Sequence, residues 1–260
     1  MQNAFYEFEE FQNPEWLLMS QVSRPSRYCG SEWRPFNDKK ISWENSALKI
    51  CLAFPDVYET GMSYYGFQII ESIINGTGKY LADRVFSVWP DMEKLLRAEN
   101  FSLMSVEHKK PVKNFDVLAF TLPHETSYTN ILTMIDLSGL AVKSSERSED
   151  DPLIIAGGYG AYTPEVLSEF IDVFCVGEAE ALLPNLLPVL EDARGRPRSE
   201  RLKECAKIPG CYVPLLWDGQ EVTRQITTQL YALSSMIVPS VGIVHDRRSE
   251  ERRVGKECRS

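Results

Sequence analysis

The chain has 260 residues, 43% hydrophobic and 25% charged, with a formal charge of −9. This is the composition of a folded globular protein, neither disordered nor collagen-like, with room for one full core and part of a second unit. An acidic surface repels phosphate, which argues against a general nucleic-acid or anionic-membrane binder.

Residues 1–45 carry turn formers, as in SRPSRYCGSEWRPFNDKK, and one short helical stretch near 15–21, which together predict an irregular arm. The opening MQNAFYEFEEFQNPEW is acidic and aromatic and reads as neither a signal nor a transit peptide. No stretch approaches the ~18 unbroken apolar residues of a membrane helix, so the expected compartment is the cytoplasm.

From residue 48 the pattern changes. LKICLAF (48–54) is an apolar run ending at Pro55-Asp56, the signature of a buried strand. GMSYYGFQIIESIIN (61–75) then spaces its apolar residues as a helix does and stops at Asn75-Gly76. Further strands are predicted at 85–88, 103–106, 117–121, 153–156 and 173–176, and helical stretches at 92–99, 127–137, 164–170 and 179–191. Pro184 and Pro188 predict a kinked or broken last helix.

Strand and helix alternating about every thirty residues predict an α/β fold over 46–192, a doubly wound and mainly parallel sheet of flavodoxin or Rossmann type. LKICLAF and DVLAF (116–120) are its expected adjacent central strands. Residues 193–247 read as a linker at Arg194-Gly195-Arg196-Pro197, then a small hairpin turning at Asp218-Gly219, then a strand-like run at 238–244. Residues 248–260, RSEERRVGKECRS, resemble the translation of a sequencing-adapter oligonucleotide. They hold one apolar side chain, Val254, and are expected to lie outside the fold, with the natural product continuing past Arg247.

The six cysteines, Cys29, Cys51, Cys175, Cys205, Cys211 and Cys258, form no C-x-x-C, and His108, His124 and His245 are scattered. A zinc or iron–sulfur site made wholly within this chain is therefore not expected, and no metal ligand or catalytic residue is assigned. In an open parallel sheet, ligands bind beyond the carboxyl ends of the strands. The loops there are FPDVYETG (54–61), TLPHETSY (121–128), AGGYGAYTP (156–164) and VGEAE (176–180). Gly157-Gly158 is either a plain tight turn or a point of close backbone approach to a ligand. Glu178 and Glu180 suit the first turn of a helix, whose dipole carboxylates complement.

Within these loops, DVYETG (56–61) resembles the D-x-H-x-x-G loop of cobalamin-binding domains, in which the histidine coordinates cobalt from below. Asp56 and Gly61 match, and Tyr58 stands at the histidine position. FDVLAF (115–120), PLIIAGG (152–158) and DVFCVGEAE (172–180) resemble the cobalamin-type domains that precede radical SAM barrels. SRPSRYCGSE (23–32) is similar to the K-P-x-R-Y-x-G-x-E segment that opens one radical SAM family, and the likeness runs over about 17–247.

The resemblance implies the N-terminal, Rossmann-like domain of a radical SAM enzyme, cut before its barrel. It implies a cofactor site at Asp56, Tyr58, Gly61, Thr121, Gly157, Gly158, Gly177 and Glu178. In that family a V-H-D-R segment, 244–247 here, leads into a barrel bearing C-x-x-x-C-x-x-C. There a [4Fe–4S] cluster cleaves S-adenosylmethionine to a 5′-deoxyadenosyl radical, chemistry that belongs to the cofactor. The missing barrel is the expected partner, and the fragment alone is expected to be inactive. Tyr58 in place of histidine leaves cobalamin doubtful. A phenol is protonated at neutral pH, so any cobalamin is expected without protein ligation, beside Gly157-Gly158 and Thr121. The alternative is a non-catalytic interaction or scaffold domain with a vestigial site. A receiver domain ranks last, because no suitable lysine accompanies Asp56 and Glu59.

Overall fold

The computed structural model describes residues 14–30, 32, 41–219 and 221–227, and the readings at 238–244 and 248–260 lie outside them. Leu48–Phe54 forms strand β1 and Tyr80–Phe86 forms β2. Val117–Thr121 is β3, Leu153–Gly157 is β4, Val173–Cys175 is β5 and Cys211–Tyr212 is β6. They make one sheet in the order β2-β1-β3-β4-β5-β6. The first five strands run parallel, with Ile50 beside Val117 in the β1–β3 register, and β6 is antiparallel to β5. The expected neighbours LKICLAF and DVLAF are indeed adjacent and parallel.

Helices cover both faces. α1 (Pro14–Met19) belongs to the arm, α2 (Tyr58–Gly61) is a single turn, and α3 (Tyr65–Gly76) follows β1. α4 (Pro90–Ala98), α5 (Tyr128–Leu137), α6 (Ala179–Asp192) and α7 (Arg198–Ala206) complete the set. α4 shows the local logic: proline in its first turn, Asp91 and Glu93 at its positive end, and Arg97 at its negative end. Met92 and Leu96 of α4 and Ile131 and Ile135 of α5 pack on one face, against Cys51, Leu118 and Ile154. Phe67 of α3, Leu186 and Leu190 of α6 and Leu202 of α7 pack on the other, against Ile50, Leu52, Val117 and Ile155. Because both faces are buried, β1, β3, β4 and β5 are largely apolar rather than alternating.

Several elements differ from the sequence reading, each for a physical reason. β2 begins at Tyr80, five residues before the expected start, because Asp83 and Arg84 are buried charged residues inside a fully buried strand. Residues 103–106 add no strand to the sheet; Met104 makes one isolated bridge to Pro111. Residues 164–167 form a single tight 3-10 turn in place of a longer helix. α6 runs unbroken through Pro184 and Pro188. Both prolines are exposed and lie four residues apart, so their rings stand on the solvent side of the helix. The supposed linker contains α7, whose polar sequence hides the buried Leu202 and Cys205. The expected hairpin does not close: Cys211–Tyr212 pairs with β5, and Gln225 bridges to Gly177 instead. Among the described residues, no helix is long and apolar enough to cross a membrane.

Candidate functional site

Sheet order reverses between β1 and β3, and this is where doubly wound folds bind ligands. The crossovers after β2 and β3 carry α4 and α5 on one face, whereas β4 is followed only by 3-10 turns at 159–167. The opposite face is packed by α3, α6 and α7, and α3 and α6, which touch each other, leave a cleft between them. The result is a groove of about 610 Å³. Its floor is Ile50, Leu52, Val117, Ala119 and Ile155, and its walls are formed by Phe67 and Ile70 of α3 and Leu183 and Leu187 of α6. Its mouth opens at the carboxyl ends of the strands, where Thr121, Gly157, Gly158, Gly177, Glu178 and Glu180 line it.

Two of these glycines are required by backbone geometry. Gly158 has φ +101° and ψ −166°, a region that only glycine enters freely. A Cβ there would approach the Leu122 carbonyl oxygen at 3.1 Å. The turn is stitched to the end of β3: Leu122 N–H donates to Gly157 (2.8 Å), and Gly160 N–H donates to Leu122 (3.0 Å). Gly177 has φ +135°, and a Cβ would lie 2.2 Å from the Gln225 carbonyl oxygen. Gly157 itself has room, its nearest neighbour being the Cys175 Cβ at 3.6 Å.

Glu178 serves a role the sequence did not reveal. Its backbone N–H donates to the Gln225 carbonyl (2.9 Å), and its carboxylate accepts from Thr227 N–H (2.8 Å). Gln225 N–H in turn donates to Val176 (3.1 Å). The β5–α6 turn therefore clamps residues 225–227 against the sheet, and Thr227 forms part of the groove mouth.

Asp56, Tyr58 and Gly61 lie outside the groove lining. Tyr58 is 1% exposed, its ring is edge-on to Phe86 at 5.1 Å, and its hydroxyl donates to Glu32 (2.9 Å). Asp56 accepts from the adjacent Val57 N–H, and a Cβ on Gly61 would strike the Phe86 ring at 2.4 Å. This loop wedges the core beside β2 and anchors the arm, since Glu59 accepts from Arg27 (2.9 Å) and Arg24 (3.1 Å). The eight predicted site residues thus divide into five that meet at the groove and three that do not.

Sequence reasoning missed a buried polar cluster beneath the arm. Arg84 is fully buried and pairs with Glu32 (2.9 Å) and Glu71 (3.1 Å), with Glu107 at 3.9 Å. These acids outweigh burial and raise its pKa further above the ordinary arginine value. The ligand atoms of Asp83, Glu107 and His108 lie within 4.8 Å of one another, a spacing that could hold a cation. The Asp83 carboxylate, however, already accepts from the N–H groups of Arg84, Glu107 and His108, and the His108 ring is 3.0 Å away. Burial alone would raise the Asp83 pKa, but these bonds and one with Ser105 hold it well below the carboxylate range. The only sequence signal was an Asp-Arg pair inside an apolar run. Among the described residues the cysteines form no comparable group, although Cys175, at the groove, and Cys211 are register partners across β5 and β6.

Residues 66–214, more than half of the chain, match the family described as "Radical SAM proteins, N-terminal". The chain belongs to this family. No curated protein matches it. Among solved structures, the radical S-adenosylmethionine methyltransferase TsrM from Kitasatospora setae, with tryptophan substrate and the SAM analogue aza-SAM bound, aligns at 11% identity and a TM-score of 0.40. The alignment covers 64% of this chain and 28% of that one, so this chain spans under a third of that structure's length. The segments 115–120, 152–158 and 172–180, in β3, β4 and the β5–α6 turn, fall inside the matched region.

Proposed function

We propose that this chain is the N-terminal domain of a radical SAM enzyme, and that its groove is a small-molecule site facing a catalytic barrel encoded downstream of Arg247. In this reading residues 1–45 are the arm and 46–192 the cobalamin-binding-like domain. Residues 193–247 lead to the barrel, and 248–260 are adapter-derived. The barrel would bring the [4Fe–4S] cluster and S-adenosylmethionine, which together supply radical chemistry. The chain's own part is to seat an apolar ligand between α3 and α6 and, through the Gly177–Glu178 clamp, to fix the direction in which the chain leaves the domain.

The observation that carries this reading is the groove itself. It is apolar, within the ~300–1,000 Å³ of ordinary ligand pockets, and opens at the switch point of the sheet. Cobalamin ligation from below does not fit the residues present. Tyr58, at the ligand position of the resembling motif, is buried behind Phe86 with its hydroxyl engaged by Glu32. No step is therefore assigned to cobalt.

The test is fluorescence titration with the neutral apolar probe N-phenyl-1-naphthylamine. Binding is expected to be lost when Ala119→Phe fills the floor or Leu183→Trp narrows the wall, and to survive Tyr58→Phe. A chain that binds no probe, or whose binding ignores both groove substitutions, would instead support the scaffold reading.

A further inference from the structure

Resting on that reading, we propose that the groove selects a cationic amphiphile, an apolar ring or chain carrying an ammonium or amidinium group, and discriminates against phosphate-bearing ligands such as a nucleotide tail. Among the described residues that line the groove, none is lysine, arginine or histidine. A phosphate or carboxylate entering the groove would leave water for apolar walls with no counter-charge, which is strongly unfavourable for an unpaired ion.

The mouth carries the opposite sign. Glu178 and Glu180 line it together, at the start of α6. One feature opposes this: the N-terminus of a 14-residue helix presents roughly half a positive charge, which ordinarily attracts anions. Two full carboxylate charges in the same turn outweigh that half charge and leave the mouth negative. The remaining polar side chains of the lining are hydroxyls, on Tyr64, Thr121, Tyr159 and Thr227, and the Cys175 thiol. The formal charge of −9 on the chain adds a long-range field of the same sign.

The geometry also separates the two glutamates. Glu178 is engaged by Thr227 N–H, so its carboxylate is oriented and holds the exit segment. Glu180 is half-buried at the rim, one residue into the helix, where an amine whose apolar body lies over Ala119 and Ile155 would meet it. The chemistry favoured is thus an apolar body over β3 and β4 with its cationic group toward α6.

The experiment displaces N-phenyl-1-naphthylamine from the full 260-residue chain with two competitors that share one aromatic body. These are 2-(1-naphthyl)ethylamine and 1-naphthylacetate, compared at low salt. The amine is expected to compete about tenfold better than the carboxylate, as attraction for one and repulsion for the other combine. The preference should shrink to about threefold or less in Glu180→Gln and fall as salt screens the mouth. Equal competition, or a better carboxylate, while the neutral probe still binds and Ala119→Phe still abolishes binding, overturns the charge selection and leaves the groove reading standing. A neutral probe that does not bind overturns both. A preference unchanged in Glu180→Gln overturns the assignment of that residue.

Discussion

The carboxylate of Glu178 accepts the backbone N–H of Thr227 at 2.8 Å, which joins the start of α6 to a segment 49 residues further along the chain. Gly177 completes the junction, because its missing side chain lets the Gln225 carbonyl approach to a point no Cβ could share. Gly177→Ala places a Cβ in that space and strains a positive φ, at a cost of about 1–3 kcal/mol. Amide exchange at Gln225 and Thr227 should speed up in this variant while β1 and β3 remain protected. Glu178→Ala should accelerate Thr227 alone by about tenfold, the effect of one hydrogen bond worth roughly 1.5 kcal/mol. Unchanged exchange at both amides would show that the clamp does not hold the exit segment.

Arg84 is the largest fully buried side chain of the domain, and the acids around it compensate its charge. Removing one partner of such a pair leaves a buried charge unmatched and costs about 3–5 kcal/mol. Arg84→Ala and Glu71→Gln should each lower urea stability on that scale. Glu107→Gln should change it little, because Glu107 is 3.9 Å away and a quarter exposed. Equal losses in all three variants would contradict this ranking.

The Asp83 carboxyl has a lower pKa folded than unfolded, so its hydrogen bonds contribute stability at pH values above the unfolded carboxylate range. That contribution is lost as pH falls below about 4 toward the depressed native value. The urea midpoint of the wild type should therefore decline between about pH 4 and pH 2, with a shallower decline in Asp83→Asn. Parallel profiles for the two proteins would assign the acid sensitivity elsewhere.

The Cys175 thiol, at the groove, and the Cys205 thiol, in α7, should be slow nucleophiles. Hydrogen bonding to Cys211, reinforced by burial, holds the Cys175 thiol well above its ordinary pKa, and burial pushes Cys205 up to about 12. Since the thiolate is the reactive form, iodoacetamide at pH 7.5 should label neither in the native protein long after both are alkylated in urea. The native rates should climb with pH. Rapid native labelling of Cys175 would show an accessible, activated thiol at the groove.

Much of the fold could be read from hydrophobic patterning, because most strands buried on both faces are largely apolar and helices such as α3 repeat with their own period. β1, β3, β4 and β5 were legible for that reason. β2 was obscured by Asp83 and Arg84, whose partners Glu32, Glu71 and His108 are far away in sequence. α7 was hidden because a helix of largely polar composition needs only Leu202 and Cys205 to dock. The groove was half legible: Thr121, Gly157, Gly158, Gly177 and Glu178 could be placed at strand ends by position alone. Tyr58 could not be assigned, since only the fold shows its hydroxyl bonded to Glu32 and its ring against Phe86.

In the function proposed above, the apolar groove between α3 and α6 is where this domain meets a small molecule. Amide exchange with and without saturating N-phenyl-1-naphthylamine locates the contact directly. Slower exchange on binding is expected at Leu122, at Gly158 and Tyr159, and at Ala179 and Glu180, all of which line the groove. Protection centred instead on Tyr58 and the arm at 24–32, or no protection anywhere, would contradict it.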